Sequence, residues 1–258
     1  MYDRDKIESI IPVYESFLQE KRDDYLNHII KYRKMQDRYI GKNLNLYSKE
    51  QLQEINDSYD GLTQKILYTL IQLDKNWAMH GYHTMKNLHY LENPPETAEW
   101  NQTDLIIFNM FIETYLLLSR SLLDSYMRHV TLVSGKKNVG LMRVSKFKRQ
   151  LRSVDSAFTI KGEAMLDYFE KKVFGEKRWG SLLRKWRDQI AHGKNINLRY
   201  QEPEDSRFLI HLYWPTLEGE PFFDFCQMVY NGIFDMICDT SQLLFDIEWQ
   251  AGPHNQIT

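Results

Sequence analysis

The chain has 258 residues, of which 43% are hydrophobic and 26% charged, with a formal net charge of −2. That balance belongs to an ordinary globular protein with enough chain to bury a sizeable core, and it excludes a disordered or collagen-like one. Cys226 and Cys238 lie twelve residues apart in one helical pattern, roughly 18 Å along its axis, so they cannot bridge each other.

The opening Met1-Tyr2-Asp3-Arg4-Asp5-Lys6 has no apolar run behind it, so no signal peptide is expected. Ile7, Ile10, Ile11, Tyr14, Phe17, Leu18, Tyr25 and Ile29 set a 3.6-residue period for a long first helix, with Gly41 as its stop. Ser48 and Gln51 form a capping box for a second helix carrying Leu52, Ile55, Leu62, Ile66, Leu70, Leu73 and Trp77. That pattern fades at His80-Gly81, and Asn93-Pro94-Pro95 marks a break. The expected division is therefore an N-terminal helical segment, 1–95, and a second segment, 96–252. His80, His83 and His89 lack a nearby cysteine or paired carboxylate, so no metal is expected there.

A third helix, about Asn101 to Val133, is apolar around most of its girth, so it is central to a bundle or shared with a second chain. Its most apolar stretch, Leu105 to Leu118, is interrupted by Asn109 and Glu113, so no membrane span is expected, and a cytoplasmic location is the default. Arg120, Asp124 and Arg128 form an i, i+4 ladder that reads as a solvated or interface edge. Residues 136–152 hold seven basic residues and no acid, with Val144, Phe147 and Leu151 on the opposite face. Such a basic amphipathic helix can lie on RNA, on anionic lipid or on the acidic end of the chain. A short helix with Met165, Phe169 and Val173 follows, stopped by Gly175.

Trp179, Leu183, Trp186 and Ile190 recur at helical spacing, and Gly193 offers a left-handed stop. After it the period becomes two, predicting one β-hairpin over about 196–214. Gly219-Glu220-Pro221 then opens a last helix ending before Gly252-Pro253. The third and last helices carry more apolar surface than one bundle face can bury, which predicts a twofold dimer through them.

Charge is unevenly distributed. Residues 128–199 hold 18 Lys/Arg against 6 Asp/Glu, whereas residues 200–258 hold 1 against 10. The basic third is either a phosphate-binding face or is neutralised by the acidic one packing across it. It contains the one place where chemistry gathers: Arg184, Asp188 and His192 follow one another at i, i+4 spacing, with Lys185, Arg187 and Lys194 beside them. His192 falls in the last turn, where a cation suits the helix dipole.

Arg187-Asp188-x-x-x-His192 resembles the Arg-polar-x-x-x-His signature of the HEPN superfamily (higher eukaryotes and prokaryotes nucleotide-binding), many members of which are metal-independent ribonucleases. The same pattern recurs from Arg22-Asp23 to His28, but His28 sits inside a continuing helical pattern with no stop signal, so the later match is preferred. The resemblance spans about residues 100–250. It implies a mainly α, HEPN-like up-and-down helical bundle with a long N-terminal helical extension and the single hairpin. It further implies Arg187 and His192 as catalytic residues with Asp188 orienting, no metal or cofactor, RNA as partner, and a homodimer that completes the site. The products would be a 2′,3′-cyclic phosphate and a 5′-hydroxyl, and the role that of a toxin or defence protein with a cognate antitoxin. Arg184, Lys185, Lys194, Arg143, Lys146, Arg149 and Arg152 are the expected RNA-binding cations. A non-catalytic RNA- or nucleotide-binding module and a dimeric interaction protein remain the alternatives.

Overall fold

The computed structural model describes residues 4–92, 102–137, 139–140, 143–154, 161–192, 199–201, 214–217 and 220–245. The fold is mainly helical. Its helices are α1 (Arg4–Lys42), α2 (Lys49–Glu92), α3 (Gln102–Val133), α4 (Val144–Arg152), α5 (Gly162–Tyr168), α6 (Trp179–Ala191) and α7 (Phe222–Phe245). Short extended segments β1 (Arg199–Gln201), β2 (Trp214–Leu217) and β3 (Glu220–Pro221) pair antiparallel in that order, with Arg199 opposite Thr216. Most of the expected hairpin over 196–214 lies outside the described residues, as does the break at Asn93-Pro94-Pro95. Among the described residues, no helix is long and apolar enough to cross a membrane.

Local chemistry explains the helix ends. The predicted capping box forms: Ser48 N–H donates to Gln51 Oε1 at 3.0 Å, and Gln51 N–H to Ser48 Oγ at 3.3 Å. At the other end of α3, Gly135 takes a φ of 83°. There Lys136 N–H reaches Thr131 O and Gly135 N–H reaches Leu132 O, satisfying two terminal carbonyls. Contrary to the fading pattern at His80-Gly81, α2 runs on to Glu92. One interior glycine costs a helix only about 1 kcal/mol, too little to end it alone.

The chain forms two compact units that interleave along the sequence: Met1–Asp23, Leu67–Arg120 and Leu182–Tyr230 in unit 1, and Asp24–Ile66, Ser121–Ser181 and Asn231–Thr258 in unit 2. In unit 1, α2, α3 and α7 meet around Leu70, Leu73, Ile112, Tyr115, Leu116 and Val229. Gln72 Nε2 donates to Phe111 O at 3.2 Å and Tyr115 Oη to Cys226 O at 2.7 Å, so these two polar side chains are paired inside the core. Arg120, expected on a solvated or interface edge, is buried within the chain, whereas Arg128 is exposed and its Nε donates to Val139 O at 2.8 Å. An i, i+4 ladder fixes a shared side of the helix, but not what covers that side.

In unit 2 the core is aromatic, with Tyr32, Tyr39, Tyr126 and Phe245 packed together. His129 is enclosed among them, 5.8 Å from the Tyr32 ring and 6.2 Å from Tyr59. Its Nε2 meets Gln36 Oε1 at 2.9 Å, so Nε2 carries the proton, and Nδ1 is left without a hydrogen-bond partner. Burial, reinforced by the Arg33 and Arg128 charges, holds its pKa down at about 3.

Two expectations follow from these environments. Gly61 sits inside α2 where a Cβ would meet nothing within 4 Å, so Gly61→Ala should raise stability by about 0.5–1 kcal/mol in urea melts. Because the folded-state pKa of His129 lies below the ordinary histidine value of 6.5, its contribution is fully present above pH 6.5. It is lost as pH falls toward 3, at a slope of up to about 1.4 kcal/mol per pH unit. Melts from pH 7 to pH 4 should show a shallower decline for His129→Gln than for the unmodified chain, and equal slopes would assign the decline to carboxylates.

Candidate functional site

The site-bearing helix α6 is positioned from its first turn. The chain reaches it through a π-helical turn, Phe169–Val173, whose Phe169 and Val173 are fully buried. Lys177 then takes a φ of 56°, the one positive value at a non-glycine among the described residues. Gly180 approaches so closely that a Cβ would stand 2.7 Å from Val173 Cγ1 and 2.8 Å from its carbonyl oxygen. Trp179 lies against Gly232 of α7, where a Cβ would come within 2.4 Å of the indole. Ser181 Oγ ties the turn to Phe174 O at 2.9 Å. Two glycines and a tryptophan thus fix where α6 starts.

Further along α6, Leu183 and Trp186 are buried, leaving the polar edge to solvent. Arg184, Lys185 and His192 are exposed, and Arg187 and Asp188 are half-buried. Arg187 Nη1 donates to Asp188 Oδ1 at 2.7 Å, with 41% and 47% of the two side chains accessible. The described partner of the Asp188 carboxylate is therefore the neighbouring guanidinium. The backbone N–H of His192 closes the helix on Asp188 O and Gln189 O at 3.1 and 3.2 Å. Gly193 and Lys194 lie outside the described residues. The Lys185 ammonium stands 5.2 Å from the centroid of a Trp186 ring. Trp186 Nε1 is buried with no hydrogen-bond partner.

The other expected RNA-binding cations belong to α4 in unit 2. Phe147 and Leu151 are buried, with Phe147 edge-on to Phe169 at 4.7 Å. That contact brings Glu170 under the helix, where Lys148 Nζ meets its Oε1 at 3.0 Å and Arg152 Nη2 lies 3.8 Å away. Arg143, Arg149 and Arg152 are exposed and Lys146 is half-buried. Glu170 is the residue that sequence reasoning missed. Residues 136–152 contain no acid, and only the aromatic pairing of Phe147 with Phe169 brings one in from α5's continuation.

The duplicate pattern ends at His28, and the side chain of its Arg22 lies outside the described residues. His28 is half-buried within α1, its Nδ1 is 2.5 Å from Asp24 O, and its ring packs edge-on to Phe234 at 4.3 Å. The thiols do not supply a nucleophile. Burial, with Asp239 and Asp235 adding to it, pushes Cys238 up to about 12, and burial pushes Cys226 well above its ordinary value. Among the described residues, no group of three or more His, Cys, Asp or Glu side chains gathers as a metal site would require.

The anchor of α6 can be tested by substitution. Gly232→Ala forces a methyl into the Trp179 ring and should cost about 1–3 kcal/mol, the opposite sign to Gly61→Ala in the same assay. Compared with protein families, curated proteins and solved structures, the chain matches none.

Proposed function

We propose that this chain is a metal-independent, HEPN-type endoribonuclease. The observation that carries the reading is the open end of α6, where Arg187 is half-exposed and His192 exposed, one turn beyond a buried apolar stripe. RNA cleavage of this class needs a base for the 2′-hydroxyl, an acid for the leaving 5′-oxygen and a cation for the crowded phosphorane. An imidazole serves as base or acid, and a guanidinium forks onto the phosphate oxygens at any physiological pH. Attack of the 2′-oxygen on phosphorus and departure of the 5′-oxygen with a proton give a 2′,3′-cyclic phosphate and a 5′-hydroxyl. One chain supplies one imidazole, so two copies furnish both acid and base.

The same reading takes 96–252 as the HEPN-like up-and-down bundle with its hairpin and 1–95 as a helical extension. Arg184, Lys185 and Lys194, with Arg143, Lys146, Arg149 and Arg152, contribute phosphate affinity. Placement in the cytoplasm as a toxin or defence protein with a cognate antitoxin follows from the resemblance alone. A second reading, a binding module that does not cut, is favoured by the Arg187–Asp188 pair, which occupies the carboxylate expected to orient His192.

His192→Ala should lower cleavage by about 10²–10⁴-fold while leaving RNA affinity nearly unchanged. Arg187→Ala should weaken both. His28→Ala should change neither, since that ring is engaged with Asp24 and Phe234. The assay is incubation with structured RNA in chelator, reading cyclic-phosphate ends. Equal cleavage by the unmodified chain and His192→Ala, or none by either, would leave the binding module as the better account.

A further inference from the structure

We propose that a second copy of this chain docks on the outward face of α2 and α3 in unit 1, centred on Ile71 and Met110. The proposal goes beyond the ribonuclease reading, which needs two copies but does not say where they meet. It would hold equally for a binding module.

Each helix carries an exposed stripe at four-three spacing, the spacing that keeps side chains on one line of a helix facing a neighbour. On α2 the stripe is Tyr68, Ile71 and Lys75, and on α3 it is Ile106, Met110, Glu113 and Leu117. The five apolar members are between 42% and 67% exposed, although the opposite faces of the same helices hold Leu70, Leu73, Ile112, Tyr115 and Leu116 in the core. The two helices run antiparallel, with Gln72 against Phe111. At 100° per residue, the stripe lies about 40–100° from Gln72 on α2 and about 100–160° from Phe111 on α3, in each case on the side away from the core. Both stripes therefore share one face, an apolar surface of the kind that marks an interaction site.

Charge selects the occupant. Lys75 is exposed and Glu113 half-exposed, and neither has an ion pair among the described residues. A twofold interface brings residue i of one copy to residue j of the other and j to i. A face carrying one unpaired cation on one helix and one unpaired anion on its neighbour is complementary to itself. Of the third and last helices, through which pairing was expected, α3 supplies part of this face, whereas Met228 is the one exposed large apolar residue among those described on α7.

Multi-angle light scattering on the full chain should show a dimer at micromolar concentration. Ile71→Glu with Met110→Glu should weaken self-association by roughly tenfold or more. Thermal melts should stay close to those of the unmodified chain, because both side chains are exposed. Lys75→Glu and Glu113→Lys should each weaken the dimer, and an equal mixture of the two should recover it, since every opposing pair is then of opposite charge. A monomer, a dimer indifferent to the Ile71/Met110 change, or a failure of the mixture to recover would overturn the proposal. Cleavage is read separately in each variant, so a dimer without ribonuclease activity would uphold this face while rejecting the catalytic reading.

Discussion

Two tyrosine hydroxyls on α3, one in the core of each unit, bond to α7 and hold the two helices in register there. From Ile112 to Ser134 most of α3 is buried, and a buried hydroxyl left unpaired costs roughly 1–3 kcal/mol. Both acceptors lie on α7. In unit 1 Tyr115 Oη donates to the Cys226 carbonyl. In unit 2 Thr240 gives its own proton to Met236 O and so receives one from Tyr126. Within each unit, the stretch of α7 cannot slide a turn along its stretch of α3 without stranding a phenol. Apolar packing supplies most of the favourable energy but is indifferent to register; the two hydroxyls are not.

Within unit 2 the same register bears on the root of α6. Because α7 is held against α3, Gly232 is held where Trp179 must fit, and Gly180 admits the Val173 backbone beside it. The start of α6 is therefore a close steric match, whereas its far end carries Arg187, Asp188 and His192 toward solvent. The acidic residue opposing the basic helix α4 comes from a neighbouring element in the same way, through the Phe147–Phe169 contact.

What the sequence disclosed was what neighbours in the chain decide. The Ser48–Gln51 box and the buried stripes of α4, α5 and α6 depend on residues three or four apart, and periodicity reports those directly. The extension of α2 past Gly81 was not legible, because a local penalty of about 1 kcal/mol cannot be weighed against packing that only the fold supplies. Burial of Arg120 and the approach of Glu170 to Lys148 were hidden for the same reason: each depends on which distant element covers a helix side. At the candidate site, residue types and helix placement were legible. The partner chosen by Asp188 was not, since a carboxylate beside a guanidinium and one turn from an imidazole could serve either.

That choice bears on whether the site can take a phosphate. The Arg187–Asp188 pair is short, but both side chains are over two-fifths accessible. An ion pair so exposed is worth only about 0.2–1 kcal/mol, because water already solvates both partners. A phosphate oxygen offers the guanidinium a charge-assisted, two-pronged contact of greater strength. Arg187 bonds Asp188 through Nη1 in the resting chain, so a phosphate need displace that contact or simply use the remaining donors. The carboxylate then holds the guanidinium in place between encounters instead of competing effectively with the ligand. On the ribonuclease reading proposed above, Asp188 would orient through Arg187 as well as through His192, and the weakness of the pair would leave the guanidinium open to a phosphate oxygen.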